Sequence, residues 1–288
     1  MTQGIIVKAI GGFYYVLSDG VAVECKARGL FRKNGIVPLV GDIAEITPNP
    51  GGKGVITGIK QRKNSFIRPA VANIDCLVIV VTAAFPAADT YFIDRITVTA
   101  ETAGCEIVIC INKTDINAGD DLFRIYSSAG YSTIRTCSLT GFGINELKRL
   151  TTDKISVLAG NSGVGKSSLM NALDPGFGLV VGEISKKLKR GKHTTRHVEL
   201  LPAGGQTLIA DTPGFESFDF ANTEITEKKT LQYAFPEFRR YSGECRFSDC
   251  LHKNEPGCAV TDALREGIIL PSRYGSYVKM LARALQNS

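Results

Sequence analysis

No run of apolar residues in this 288-residue chain approaches the ~20 needed to cross a bilayer, so a membrane-spanning protein is not expected. The opening stretch MTQGIIVKAIGG lacks a basic start followed by an apolar core, so no secretory signal is read there either. Acidic charge is scarce in two segments. Residues 1–70 hold ten Lys/Arg against four Asp/Glu and residues 182–200 hold six against two, whereas the net charge of the whole chain is only +6. Two basic segments on a body that is otherwise acidic on balance point to a polyanionic partner, with solvated surface charge as the plain alternative. A disulfide framework is also missing. Of eight cysteines, Cys25, Cys76, Cys105, Cys110 and Cys137 are scattered, four of them among apolar or β-prone residues, which reads as buried reduced thiols. Cys245, Cys250 and Cys258 cluster beside His252. Both groups suit a reducing compartment, and a cytoplasmic location is expected.

With 44% hydrophobic and 22% charged residues, a substantial core is expected, divided among as many as three small domains. Residues 1–68 read as five short strands (Ile5–Ala9, Phe13–Leu17, Val21–Cys25, Asp42–Thr47, Gly54–Ile59) broken by Gly11-Gly12, Asp19-Gly20 and 48–52. That spacing suits a small barrel of the OB type, with an SH3-like barrel as competitor. From residue 74 the pattern changes. Apolar runs 74–82, 106–111, 131–137 and 155–159 alternate with helix-compatible segments 89–103, 120–129 and 144–150, as in a doubly wound α/β domain. Strands 198–201 and 207–210 complete it, and 185–196 reads as a basic loop. Beyond about residue 222 the chain turns helical and Cys-containing, and no internal repeat is visible.

The sequence Gly160-Asn161-Ser162-Gly163-Val164-Gly165-Lys166-Ser167, continued by Ser168, matches G-x-x-x-x-G-K-[ST]. It lies between strand ISVLA and helix-compatible SLMNAL, the context this phosphate loop needs. Its glycines let backbone N–H groups turn inward around phosphate oxygens, and the following helix N-terminus adds a favourable dipole. Lys166 is expected on the β- and γ-phosphates and the Ser167 hydroxyl on Mg²⁺. Asp211-Thr212-Pro213-Gly214 ends an apolar strand about 45 residues later, placing Asp211 to organise Mg²⁺ through water and Gly214 to offer its N–H to the γ-phosphate.

Asn112-Lys113-Thr114-Asp115 closes the strand EIVICI in the pattern of guanine binders. Guanine offers donors at N1 and N2 that one carboxylate can accept together, and adenine has no such pair, so Asp115 selects GTP and GDP. The Lys113 stem can cover the base and Asn112 can brace the loop. Cys137-Ser138 follows the next strand, where backbone groups often help hold guanine.

In ordinary GTPases of this kind the phosphate loop comes first and the base motif last. Here the base motif comes at 112–115, the phosphate loop at 160–167 and D-x-x-G at 211–214, an order that one circular permutation explains. The join falls between helix 144–150 and strand 155–159, and the switch after D-x-x-G then runs directly into the C-terminal region. The basic loop contains Gly191-Lys192-His193-Thr194-Thr195, where one of Thr194 or Thr195 is expected to sense Mg²⁺ and the γ-phosphate. Phe215 follows D-x-x-G in place of the glutamine that often orients the attacking water, so unaided hydrolysis should be slow. His193 is the candidate to organise that water, with RNA contact as its competing role.

Cys245-x₄-Cys250-x-His252-x₅-Cys258 supplies three thiolates and an imidazole, a closed ligand set for a structural Zn²⁺ with no open position for a catalytic water. The region around it is too short for a good core, so metal would supply folding energy. Residues 273–285 read as an amphipathic helix that either packs on this module or touches RNA.

Taken with RKNSFIRPAVANID before the first apolar strand, these motifs resemble, over essentially the whole chain, the circularly permuted ribosome-dependent GTPases known as YjeQ or RsgA. The resemblance implies a multidomain protein: an OB-like RNA-binding barrel (1–68), a circularly permuted α/β GTPase domain (69–221) and a mainly helical zinc-binding domain (222–288). It also implies GTP hydrolysis to GDP and phosphate, stimulated by the small (30S) ribosomal subunit with its 16S-type rRNA, during late subunit maturation. Nothing in the sequence suggests a dimer seam, and a monomer is expected. An RNA-binding module that uses GTP only as a structural switch is the alternative from another class, and a GTPase acting on a protein or membrane partner is a weaker third.

Overall fold

The two dipeptides read as turns close tight hairpins. Gly11-Gly12 and Asp19-Gly20 all take positive φ, between 49° and 81°, the conformation whose twist matches that of the flanking strands. They join β1 (Thr2–Ile10), β2 (Phe13–Ser18) and β3 (Val21–Ala27), while β4 (Ile43–Pro48) and β5 (Gly54–Ile59) complete the N-terminal set. The computed structural model describes residues 2–29, 31, 35–49, 52–67, 69–179, 198–211 and 230–286, with only the backbone described at Asp211. The five strands run in the order β1-β2-β3-β5-β4 and close through β1–β4, with β3 and β5 parallel. This is the OB arrangement, which decides against the SH3-like alternative. Inward-facing Ile6, Val16, Cys25, Ala44, Ile46 and Ile56 fill the barrel.

A polar joint connects the barrel to the rest. Arg62 grips the buried Asp42 carboxylate with two bonds, Nε to Oδ1 at 2.7 Å and Nη2 to Oδ2 at 2.8 Å. Asn73, at φ 57°, donates to Gly41 O at 2.9 Å and accepts from Lys63 N at 2.9 Å. Asn64 both donates to Ile74 O and accepts from Ile74 N, each at 2.8 Å. Between these residues lies a small hairpin, β6 (Ser65–Phe66) with β7 (Val71–Ala72).

The central layer alternates strand and helix: β8 (Cys76–Val81), α1 (Thr90–Thr102), β9 (Glu106–Ile111), α2 (Asp120–Ser128), β10 (Ser132–Arg135), α3 (Ile144–Thr151), β11 (Ile155–Ala159) and α4 (Lys166–Leu173). It ends with β12 (Glu199–Pro202) and β13 (Leu208–Asp211). The order is β10-β9-β8-β11-β13-β12, parallel except for β12. β10 is shorter than the 131–137 run suggested, because residues 136–138 leave the ladder to form a loop. Strand residues alternate between two cores: Leu77, Ile79, Ile109 and Val157 face α1 and α2, whereas Val78, Val80, Cys110 and Leu158 face α3 and α4. Burial on both faces explains the unbroken apolar runs. At the far edge β12 pairs with β1, Glu199 opposite Lys8, and their side chains form an ion pair at 2.8 Å.

The C-terminal part begins with 3₁₀ turns at Leu231–Ala234 and Pro236–Tyr241 and continues with α5 (Ala259–Arg265) and α6 (Pro271–Gln286). α6 packs rather than projecting, burying Ser276, Tyr277, Met280, Leu281 and Ala284 along one face. Phe235, Phe238 and Tyr277 form an aromatic cluster with ring centroids 4.9–5.4 Å apart. Val98 of α1 joins this core, so the cysteine region borrows apolar support from α6 and the central layer, more than its own length promised. Arg273 is 1% exposed; it bonds Asp94 of α1 at 2.5 Å and Glu237 at 2.7 Å, its guanidinium lying over the Phe235 ring. No described helix is long and apolar enough to cross a membrane.

Candidate functional site

Parallel strands align their carboxyl ends, and an open α/β sheet binds ligands there. The structure brings the motif loops to that edge: the base motif after β9, residues 136–138 after β10, the phosphate loop after β11, and Asp211 at the end of β13. Gly160, Gly163 and Gly165 take φ of 141°, 81° and 99°. At two of them space as well as dihedral demands glycine: a Cβ would stand 2.2 Å from Val80 O at Gly160 and 2.4 Å from Asn112 Nδ2 at Gly165. Lys166 opens α4 and turns its ammonium back across the loop, donating to Gly160 O at 2.6 Å and Asn161 O at 2.9 Å. Ser167 and Ser168 lie in the first turn of the same helix.

Asn112 joins the two halves of the site. Its side chain is 1% exposed and donates to Val164 O of the phosphate loop at 2.9 Å. Its oxygen accepts from Thr136 Oγ1 at 3.2 Å and from Ser138 N at 3.4 Å. Thr114 Oγ1 donates to Thr136 O at 3.0 Å, a further tie between the loops after β9 and β10. Lys113, at φ 62°, reaches Phe85 O with its ammonium at 3.2 Å. The Asp115 carboxylate is exposed at the rim and accepts from the Cys137 thiol at 3.2 Å. Cys137 is buried and held by its backbone: its N–H donates to Phe142 O and its carbonyl accepts from Gly141 N, each at 3.0 Å.

Two of these contacts had no sequence signal. Residues 137–138 suggested a backbone role only, yet the Cys137 side chain addresses Asp115; the Lys113–Phe85 bond joins residues 28 apart through a carbonyl, which any residue type offers. The remaining members, His193, Thr194, Thr195, Thr212, Pro213, Gly214 and Phe215, lie outside the described residues.

The second constellation stands apart, in the C-terminal core. Ligand atoms of Cys245, Cys250, His252 and Cys258 lie within 4.8 Å of one another. His252 Nδ1 is 3.5 Å from Cys245 Sγ and 3.4 Å from Cys258 Sγ, and the two sulfurs are 4.0 Å apart. Tetrahedral Zn–S and Zn–N bonds give edges of roughly 3.6–3.8 Å, so the set can hold a metal ion once small side-chain movements draw its wider spacings together. Burial pushes the Cys250 thiol up to about 12 and the His252 imidazole below its ordinary value, so His252 is available as a neutral ligand. A divalent cation would supply the charge that makes these buried thiolates favourable. By contrast Cys76, Cys105 and Cys110 are buried with thiols pushed up to about 12 and are inert core residues, as expected.

A phosphate loop and a guanine-type base loop at one sheet edge, met in permuted chain order, define a circularly permuted P-loop GTPase. The RsgA GTPase family model matches residues 59–221 and the RsgA N-terminal domain model residues 3–56. The chain is 45% identical to the small ribosomal subunit biogenesis GTPase RsgA of Caldanaerobacter subterraneus subsp. tengcongensis, covering 97% of this chain and 94% of that protein. Against the RsgA of Geobacillus thermodenitrificans identity is 44%, with 98% and 97% covered. It superposes on the crystal structure of YjeQ from Thermotoga maritima with TM-score 0.83 and 40% identity over 99% and 98% of the chains. With YloQ, described as a circularly permuted GTPase, the TM-score is 0.82 at 35% identity over 100% and 96%. The chain belongs to the RsgA GTPase family.

Proposed function

We propose that this protein hydrolyses GTP to GDP and phosphate in a cycle coupled to the small ribosomal subunit during its late maturation, in the cytoplasm. The observation that carries the reading is the Asn112 brace, which ties the base loop to the phosphate loop and so supports a single nucleotide site built from both. The names of the relatives supply the subunit. In this reading Asp115 reads the base, Lys113 covers it, and residues 160–168 hold the phosphates. Ser167 binds Mg²⁺, Asp211 organises it through water, and Thr194 or Thr195 with Gly214 senses the γ-phosphate. His193 organises the attacking water, because Phe215 has no hydrogen-bonding atom in its side chain. The metal in the Cys₃His cluster is one structural Zn²⁺. The working division is 1–68, 69–221 and 222–288, with the basic barrel on 16S-type rRNA, and the protein acts as a monomer.

GTP turnover with and without isolated small subunits tests this. Strong stimulation is expected for the wild type, with His193→Ala keeping nucleotide affinity but losing the stimulated rate. Unchanged stimulated turnover in His193→Ala removes His193 from the mechanism. Tight GTP-dependent subunit binding without stimulation replaces the enzyme by an RNA-binding module with a nucleotide switch.

A further inference from the structure

We propose that Gln232 is the residue that orients the metal-binding imidazole of His252 and fixes its tautomer. This rests on the reading that the Cys₃His cluster holds zinc. Both neighbouring sulfurs stand beside Nδ1, so Nδ1 is the nitrogen facing the ligand centre. A neutral imidazole that ligates through Nδ1 carries its proton on Nε2, and that N–H needs an acceptor because the ring is buried. Gln232 Oε1 lies 2.5 Å from His252 Nε2. The side-chain carbonyl accepts there, completing a ligand–histidine–acceptor arrangement of the kind that sets ring orientation and ligand basicity in metal sites.

The rest of the loop is held by other groups. His252 itself takes φ 55°, and its carbonyl accepts from Tyr274 Oη at 2.9 Å. Tyr277 Oη donates to Leu251 O at 2.8 Å, and the Glu255 carboxylate accepts from the N–H groups of Leu251, Lys253 and Asn254. These contacts place the backbone of 250–255 and make no bond to the imidazole ring itself. The ring packs edge-on against Phe238 at 6.1 Å, an apolar contact that does not choose between tautomers. Gln232 makes that choice, and it comes from a different segment, the 3₁₀ turn Leu231–Ala234, twenty residues before His252. Leu231 and Ala234 are buried in the same apolar core and hold the turn in place.

The test uses the full-length protein. Zinc content and the rate of zinc transfer to a chromogenic chelator are measured for wild type, Gln232→Leu and Gln232→Glu, together with the absorption bands of the Co²⁺-substituted forms. Gln232→Leu should release zinc about 10- to 100-fold more readily and shift the cobalt bands, while Gln232→Glu keeps an acceptor and should retain the metal at least as tightly as wild type. Wild type that holds no zinc defeats the metal reading itself. Wild type that holds zinc, with Gln232→Leu matching it in release and spectrum, overturns the role of Gln232. Equal loss in both variants also overturns it, since an acceptor then does not matter. If Gln232→Leu does not fold, Gln232→Glu decides: retention with shifted cobalt bands supports the role, and loss of metal rejects it.

Discussion

At the scale of single residues, the site is a set of loops held together by side chains that bond from one loop to the next. Asn112 has three partners on two other loops, and the Cys137 thiol donates to the Asp115 carboxylate. A thiol is a weak donor, so its bond to a carboxylate is a modest contribution. Cys137→Ser keeps a donor and should bind GDP at least as tightly as wild type, whereas Cys137→Val should weaken it about five- to tenfold, a loss of roughly 1 kcal/mol. A titration with fluorescent GDP reads this, and unaltered affinity in the valine variant would show that the thiol does not position Asp115. The phosphate and base motifs were legible in the sequence because backbone geometry leaves few choices: Gly160 and Gly165 admit no Cβ. The Cys137–Asp115 and Gln232–His252 contacts were not legible, since each depends on where two distant turns come to rest rather than on a residue pattern.

At the scale of elements, α6 shows how far periodicity carries. Its apolar stripe and its length are readable in the sequence, which leaves packing and RNA contact as the two outcomes for it. The part played by Arg273 was not readable, because a basic residue at a helix start looks solvated until its partners are known. Here Asp94 comes from α1 and Glu237 from the 3₁₀ turn, and Tyr126 Oη also donates to Asp94 at 3.1 Å. Burial pushes the Asp94 carboxyl above the usual range, against the opposing pull of Arg273. Arg273→Leu leaves both carboxylates buried without their cation and should cost about 3–5 kcal/mol in urea unfolding. Replacing Asp94, Glu237 and Arg273 together by leucine should recover much of that loss. A single variant within 1 kcal/mol of wild type would mean the network does not fasten α6 to α1.

At the scale of the whole molecule, permutation decides what each end of the nucleotide site is connected to. β12 follows the basic segment and pairs with β1 of the barrel through Glu199 and Lys8. β13 ends at Asp211, and the chain after it leads toward the turn that carries Gln232. The order of the motifs makes the permutation visible in the sequence, and turn dipeptides make the barrel strands visible. The joining of the barrel's sheet to the central one was not visible, since pairing across 191 residues leaves no local mark.

In the proposed function, subunit-coupled hydrolysis runs on a nucleotide read as guanine by Asp115. Xanthine carries a carbonyl oxygen where guanine carries its N2 amine, so an asparagine at 115 can donate to that oxygen while accepting from N1–H. The decisive measurement is turnover of GTP and of xanthosine triphosphate by wild type and Asp115→Asn, each with small ribosomal subunits present. Stimulated hydrolysis is expected to move from GTP to xanthosine triphosphate in Asp115→Asn, with a preference changed by about 100-fold or more. An Asp115→Asn protein that still prefers GTP, or a wild type indifferent to the subunit, would contradict it.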